Sequence, residues 1–252
     1  MKISKTNTWA ASVALTAALT FVASALADDA AAPAAPKSPW ESSAAVGFTL
    51  TRGNSETELF TAKVDAARKK DRQELALGGD IAYGKSDGKR NTESYHAFGQ
   101  LNQLLTEKFY VYGRLDGLRD DIAGLDYRLT FSPGAGYYFI KNDKTTLSAE
   151  VGPGVVYERQ ASKSPRAYGT LRFSEKFEHK LNDNVKIWQS AEVLPQIDRW
   201  KNYVVNAEAG IEASLTTKAS LRVYIQDTYD NEPAPGRKAN DIKTVAALAY
   251  KF

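Results

Sequence analysis

Few residues in this chain are of a type that could do chemistry, since it has two histidines and no cysteine. Ser94 and His96 lie two apart, on one face of any strand, but a serine hydrolase also needs a third group that orients the base. No second histidine or carboxylate lies at metal-ligand spacing from His96 or from His179. The sequence therefore predicts no catalytic, cofactor-binding or metal-binding residue, and we expect no enzyme activity.

One acidic segment leaves an alternative open. Arg119, Asp120 and Asp121 are followed by Asp126, and carboxylate oxygens are suitable ligands for Ca²⁺ or Mg²⁺. Charged side chains in water are the simpler interpretation of such a segment, and we favour it over a cation site.

Composition excludes several classes of protein. Without cysteine there can be no disulfide framework, thiol nucleophile or lipid-attachment cysteine. A formal net charge of +3, with no basic cluster, argues against a nucleic-acid partner. A mean hydropathy of −0.42 argues against a polytopic helical membrane protein, which needs repeated apolar runs of about 20 residues.

The first 27 residues have the pattern of a secretory signal peptide. Lys2 and Lys5 precede an uncharged, apolar stretch that ends in Ala25-Leu26-Ala27, the small-x-small pattern of a cleavage site. Cleavage there would remove two of the 33 basic residues and none of the 30 acidic ones, so the net charge would fall from +3 to +1. Residues 28–39 are rich in Ala and Pro and predict a flexible lead-in. The folded body is expected over residues 40–252.

Within that body, apolar and polar residues alternate with a period of two, which is typical of strands with unlike faces. The alternation predicts an all-β fold with about 12 strands, and short and long connections alternate between them. Short turns at one end and longer loops at the other are typical of a transmembrane, antiparallel, up-and-down β-barrel. The longer connections are expected at residues 85–91, 119–125, 159–167, 194–200 and 231–240. The predicted strands are 41–52, 56–68, 73–84, 92–105, 109–118, 126–139, 145–158, 168–180, 185–193, 201–214, 219–230 and 241–252.

The polar face of these strands has many large charges of both signs, which an inverted barrel would place in its lumen. The apolar face would contact outer-membrane lipids and lipopolysaccharide, with aromatic residues near the strand ends at the interfaces. Gly-x-Gly steps in neighbouring strands fit close packing or bending of a narrow barrel. The candidate lumen-lining residues are Glu74, Asp80, His96, Arg114, Asp116, Arg128, Glu150, Arg172, Glu208 and Glu212.

The last strand ends the chain on an aromatic residue. Tyr250 and Phe252 fall on the same face as the apolar residues before them. A terminal Phe after alternating apolar residues is similar to the signal that outer-membrane proteins present to the barrel-assembly machinery. We therefore expect that machinery as a partner through the C-terminal strand, and export to the outer membrane of a Gram-negative bacterium.

A Gly-Asn-Ser-acidic-Thr turn, Gly53–Thr57, joins the first two strands. Gly and Asn tolerate the positive φ of a tight hairpin, which is a simpler explanation than ligand binding by the turn. Together with the all-strand body and the closing Tyr-Lys-Phe, this turn resembles an uncharacterised family of salt-induced outer-membrane β-barrel proteins. The resemblance implies an outer-membrane address, a barrel fold and a link to osmotic stress, and it supplies no catalytic residue.

Three functions of different classes follow. The favoured one is an outer-membrane barrel with a structural or envelope-stress role and a narrow lumen of low conductance at most. The alternatives are a soluble periplasmic barrel that binds a ligand inside, and a membrane-embedded enzyme. The sequence leaves the oligomeric state open.

Overall fold

A computed structural model describes residues 39–51 and 57–252 of the chain. The predicted signal peptide, the lead-in up to residue 38 and the turn residues 53–56 lie outside the described residues. Pro39–Phe252 forms one compact unit. No helix among the described residues has the length and apolarity that crossing a membrane would require.

Twelve antiparallel strands close into a single barrel in which each strand pairs with its neighbours in the chain, and β1 pairs with β12. The predicted all-β, up-and-down barrel of 12 strands is thereby confirmed. The strands are β1 (Trp40–Thr51), β2 (Thr57–Lys70), β3 (Gln73–Ser86), β4 (Lys89–Leu104), β5 (Phe109–Asp120), β6 (Leu125–Lys141), β7 (Thr145–Gln160), β8 (Arg166–Lys180), β9 (Val185–Gln196), β10 (Arg199–Ser214), β11 (Ala219–Asp230) and β12 (Asn240–Lys251).

The seam between β1 and β12 closes the barrel. Its register runs from Ser43 opposite Lys251 to Gly47 opposite Ala247. Because the strand number is even, Trp40 and Phe252 come to the same end of the barrel. We call this the terminal end, and the opposite one the far end.

The far-end connections are shorter than the sequence predicts. The segments expected at 85–91, 119–125, 159–167 and 194–200 shrink to 87–88, 121–124, 161–165 and 197–198, and only 231–239 stays long. The alternation of apolar and polar residues ends before the strands do. Charged residues beyond the apolar belt still take part in the backbone ladder, where Lys85 lies opposite Arg90. At 87–88 the turn is an Asp-Gly pair with φ of 49° and 73°, which matches the twist of the strands it joins.

Side chains alternate between the barrel interior and its outer surface. The outer surface is an apolar belt, and its members include Val64, Leu115, Phe131, Val155 and Ile225, each at least 51% exposed. A belt that continues around the barrel is far larger than the apolar patches of soluble monomers.

Aromatic pairs border this belt at both ends. Tyr127 packs on Tyr157 and Tyr203 on Tyr229 at the far end, with ring centroids 5.6 and 5.9 Å apart. At the terminal end, Tyr137 packs on Phe139 and Tyr250 on Phe252, at 5.3 and 6.4 Å. Two aromatic rims around an apolar belt are the arrangement found where a barrel meets two lipid–water interfaces.

Candidate functional site

The barrel encloses a cavity of about 1040 Å³ that extends from one end to the other. Lys186 and Lys251 line it at the terminal end, and Asp120 and Arg128 line it at the far end. Nine of the ten candidate lumen residues line this cavity; the tenth, Glu74, is bonded to other side chains at the terminal end. The lumen is therefore the candidate functional site, and its contacts decide what could pass.

Arg172 on β8 is the centre of the most buried network, with 4% of its side chain exposed. Its Nη1 donates to Glu150 Oε2 at 2.7 Å and to the Tyr112 hydroxyl at 3.1 Å, and its Nε donates to Glu192. Glu150 also accepts hydrogen bonds from Gln100, at 2.7 Å, and from the Tyr110 hydroxyl, at 2.9 Å. Every charge in this network thus has a counter-charge and further hydrogen bonds, as buried ions require.

His96 lies midway along β4 between two carboxylates. Its Nδ1 is 3.1 Å from Asp80 Oδ1, and its Nε2 is 3.4 Å from Asp116 Oδ1. Asp116 also accepts two hydrogen bonds from Arg114, at 2.8 and 2.6 Å, and Arg114 stacks over the Phe98 ring, 4.4 Å from its centroid. These contacts fix the imidazole between β3 and β5.

Glu208 on β10 contacts side chains of three other strands, one of them across the lumen. It accepts hydrogen bonds from Trp188 at 2.7 Å and from Gln226 at 2.9 Å, and Lys63 approaches it to 3.3 Å. Lys63 belongs to β2 and Glu208 to β10, four positions away around the ring, so this ion pair bridges the interior. Gly210 leaves the space that the Trp188 ring and the Cβ of Tyr224 occupy.

Glu212 is the corresponding carboxylate near the terminal end, with 4% of its side chain exposed. Lys251 Nζ lies 2.9 Å from its Oε1, and Arg222 Nε lies 3.2 Å from its Oε2. Ser220 donates a further hydrogen bond at 2.8 Å. In addition, Glu74 pairs with Lys141 at 3.0 Å and accepts a hydrogen bond from Tyr138.

At the far end, Arg128 binds two carboxylates. Its Nε lies 2.6 Å from Glu158 Oε2, and its Nη2 lies 3.2 Å from Asp230 Oδ2. Glu158 is fully buried and also pairs with Arg166 at 2.6 Å. The contact between Arg128 and Asp230 joins β6 to β11, five positions away around the barrel.

Three tyrosines that were not singled out in the sequence occupy part of the barrel interior. Tyr110, Tyr112 and Tyr138 form a buried cluster on the wall formed by β5 and β6. Gly134 faces them, and a Cβ there would lie 2.6 Å from the Tyr112 hydroxyl. The Gly-x-Gly step was the available signal, because glycines that face inward leave room for large rings on the neighbouring strand. Other charged residues that line the lumen and were not singled out include Lys63, Asp65, Lys176, Lys186, Arg222, Lys243 and Lys251.

The residues considered for chemistry are bonded to other groups. Ser94 accepts a hydrogen bond from Lys243 at 2.9 Å, while His96 contacts its two aspartates. In the acidic segment, Asp121 pairs with Arg119 at 2.8 Å and Asp126 pairs with Arg159 at 2.8 Å. The Arg119 guanidinium holds the pKa of Asp121 below its ordinary value. Among the described residues, no three His, Asp or Glu side chains are grouped so that they could hold a metal ion.

A family model described as "Protein of unknown function, DUF481" matches residues 44–252. The chain belongs to this DUF481 family. Its predicted membership of an uncharacterised family is thereby confirmed, and the link to salt stays a prediction. Over 221 residues, the DUF481 chain is 25% identical to the uncharacterized protein YdiY of Escherichia coli (strain K12), covering 87% of this chain and 86% of YdiY.

Solved structures similar to the DUF481 barrel include a bacterial translocator and two porins. The translocator domain of the autotransporter NalP from Neisseria meningitidis gives a TM-score of 0.47 at 13% identity, covering 96% of this chain and 97% of that one. The KdgM porin in complex with disordered oligogalacturonate gives 0.48 at 6% identity, covering 83% and 99%. The NanC porin gives 0.48 at 4% identity, covering 84% and 97%.

Proposed function

We propose that this DUF481 chain is an outer-membrane barrel with a structural role in the envelope, and that its lumen is too filled to conduct as a general porin does. The observation that carries the proposal is the inverted distribution of side chains. Large apolar residues such as Leu115 and Phe131 face outward with 57% and 52% exposure, whereas paired charges such as Arg172 and Glu150 face inward. In water this arrangement would expose the belt and bury the charges, both at a cost in free energy.

The filled lumen supports the second half of the proposal. Interior volume grows with strand number, and open aqueous channels are typical of barrels with about 16–18 strands. In this barrel of 12 strands, Lys63–Glu208 and Arg128–Asp230 reach across the interior, and three tyrosines occupy one wall. Because both signs of charge pair there, we expect little ion selectivity. The link to osmotic stress in this proposal comes from the family resemblance alone.

The proposed setting assigns the two ends of the barrel. An exported chain places its N-terminus in the periplasm, so the terminal end would face the periplasm and the far end would face outward. The belt would contact lipid tails, and lipopolysaccharide would surround the far-end rim. In this proposal the chain has no catalytic role, since Ser94 and His96 bond to different partners.

Fractionation tests the proposal against a soluble periplasmic barrel. We expect the protein to stay in the membrane pellet after a high-salt wash and to need detergent for release. The folded barrel should migrate faster in a gel than the boiled chain. Release with the periplasmic fraction, without detergent, would show that the outward apolar belt does not contact lipid.

Phe252 provides a test of assembly. Its side chain is 63% exposed and its ring stacks on Tyr250, 6.4 Å away. Its backbone N–H donates to the Ser42 carbonyl at 3.2 Å, at the end of the β1–β12 seam, so its removal should cost the folded barrel about one exposed hydrogen bond, on the order of 1 kcal/mol. We nevertheless expect deletion of Phe252 to lower the outer-membrane yield several-fold, because the assembly machinery would lose its terminal aromatic. Quantitative blotting of outer-membrane fractions measures this yield.

Ile242→Ala is the matched control for the deletion. Ile242 lies on the same outward face of β12 and is also 63% exposed, but it is at the other end of the strand. We expect its yield to stay at the wild-type level. Equal yields from the wild type, the deletion and the control would refute the role of Phe252 in assembly.

A further inference from the structure

The connection between β11 and β12 reaches over the far mouth of the barrel. Ala234, within residues 231–239, is 6% exposed. A Cβ built on Gly124 would lie 3.2 Å from the Cβ of Ala234 and 3.8 Å from the Cβ of Ala161. Gly124 belongs to the β5–β6 turn and Ala161 to the β7–β8 turn, on the opposite side of the ring from β11 and β12. The segment therefore spans the mouth and rests on the opposite wall.

An ion pair under this segment joins the same two walls. Asp230, the last residue of β11, lies 3.2 Å from the Arg128 guanidinium on β6. Arg128 lines the lumen and keeps its second partner, the buried Glu158, on its own side. The contact with Asp230 can therefore break while Arg128 still has a counter-charge.

The base of the segment is fixed separately from its tip. The backbone N–H of Asp230 donates to the Ala239 carbonyl at 2.8 Å, which ties the two ends of the segment together. Arg199 Nε donates to Glu232 Oε1 at 3.1 Å on the near side. The tip contacts the opposite wall by packing: the buried Ala234 lies against Gly124 and Ala161, and Arg237 Nε would lie 3.5 Å from a Cβ on Gly124. These packing contacts can separate while the hydrogen bonds at the base stay.

We propose that residues 231–239 form a lid over the far mouth of the lumen, and that the Asp230–Arg128 ion pair latches it shut. This inference rests on the proposed function, because it treats the lumen as a path that the lid controls. On opening, the Asp230 carboxylate would leave Arg128 and be hydrated, while Arg128 would keep its contact with Glu158. The β11–β12 ladder would stay intact.

Tryptic cleavage measures lid opening without any current. Arg237 and Lys238 lie in the lid and are exposed even when it is closed, so opening changes the freedom of the backbone around them and not the access to their side chains. While Ala234 is held against Gly124 this backbone is restrained, and trypsin should cut the folded, detergent-solubilised protein there faster when the lid is open. We expect Asp230→Asn to raise the cleavage rate about ten-fold. Asp198→Asn is the control: it removes the same charge from the 197–198 turn at the same end, where Asp198 accepts a hydrogen bond from Gln196, and it should leave the rate unchanged.

A disulfide can lock the lid, because the chain has no cysteine of its own. Gly124→Cys with Ala234→Cys places two Cβ atoms 3.2 Å apart, slightly below the usual spacing of about 3.5–4.5 Å. Oxidation should suppress cleavage about ten-fold, and dithiothreitol should restore it. The two single variants control for strain at Gly124, whose φ is +70°.

Conductance then shows whether the lid, and not only the side chains of the lumen, limits the current. In a Glu208→Ala/Glu212→Ala background, the oxidised lock should abolish current that dithiothreitol restores. A cleavage rate that changes neither in Asp230→Asn nor on oxidation of the Gly124→Cys/Ala234→Cys variant would overturn the lid. Cleavage that responds while the current does not would overturn its control of the path, and a wild-type current of general-porin size would instead overturn the proposed function.

Discussion

Replacing Arg172 by methionine is expected to lower the free energy of unfolding by about 3–5 kcal/mol, because it leaves Glu150 and Glu192 without their shared counter-charge in a buried site. Only 4% of the Arg172 side chain is exposed, and 11% of the Glu150 side chain, so water can do little to solvate the orphaned carboxylates. The Tyr112 hydroxyl also loses its donor. Guanidinium unfolding of the protein in lipid vesicles, followed by tryptophan fluorescence, measures the change.

Arg159→Met is the matched control for this loss. Arg159 pairs with Asp126 at 2.8 Å, but 53% and 42% of the two side chains are exposed. Pairs of this kind typically contribute less than about 1 kcal/mol. A difference of less than about 1 kcal/mol between the two variants would mean that the interior network is hydrated and does not hold the barrel together.

Removing the two carboxylates that organise the lumen should open it. Glu208 anchors Lys63, Trp188 and Gln226, and Glu212 anchors Arg222 and Lys251. The double variant Glu208→Ala/Glu212→Ala loses these anchors and two side-chain volumes. We expect its single-channel conductance in planar bilayers to rise several-fold, from small or undetectable to measurable, and a cation excess in the lumen should make it favour anions.

The control for the lumen variant is Glu107→Ala/Asp143→Ala. Both residues lie in exposed turns at the terminal end, so the net charge changes equally while the lumen stays as it is. Its conductance should match the wild type. An equal rise in both pairs would indicate a surface-charge effect, and no rise in either would show that Glu208 and Glu212 do not limit the path.

The sequence was sufficient to predict the barrel, because a period of two records on which side of the wall each residue lies. Glu208 and Glu212 are four apart and both face inward, as the alternation requires. Which interior residues meet across the lumen depends on the closure of the ring. Lys63 and Glu208 are 145 residues apart, and Arg128 and Asp230 are 102 apart, so no local pattern predicts either pair.

Local patterns gave no prediction for the interior aromatics and a wrong one for several loop lengths. Tyr110, Tyr112 and Tyr138 were not singled out in the sequence, and they point inward, where their hydroxyls form hydrogen bonds with lumen charges. The loop at 197–198 is shorter than predicted because Gln196 and Arg199 still pair in the ladder. Polar composition marks the end of the apolar belt, while hydrogen bonding decides the end of a strand.

The conductance of the wild-type protein in a planar bilayer tests the central claim most directly, since it asks whether a barrel inserted in a membrane has a lumen too narrow to conduct as a general porin does. Insertion is verified on the same preparation by the difference in gel mobility between folded and boiled protein. We predict steps that are small or undetectable and show little ion selectivity. Large, stable steps of general-porin size from the inserted protein would contradict the account and make solute transport its function.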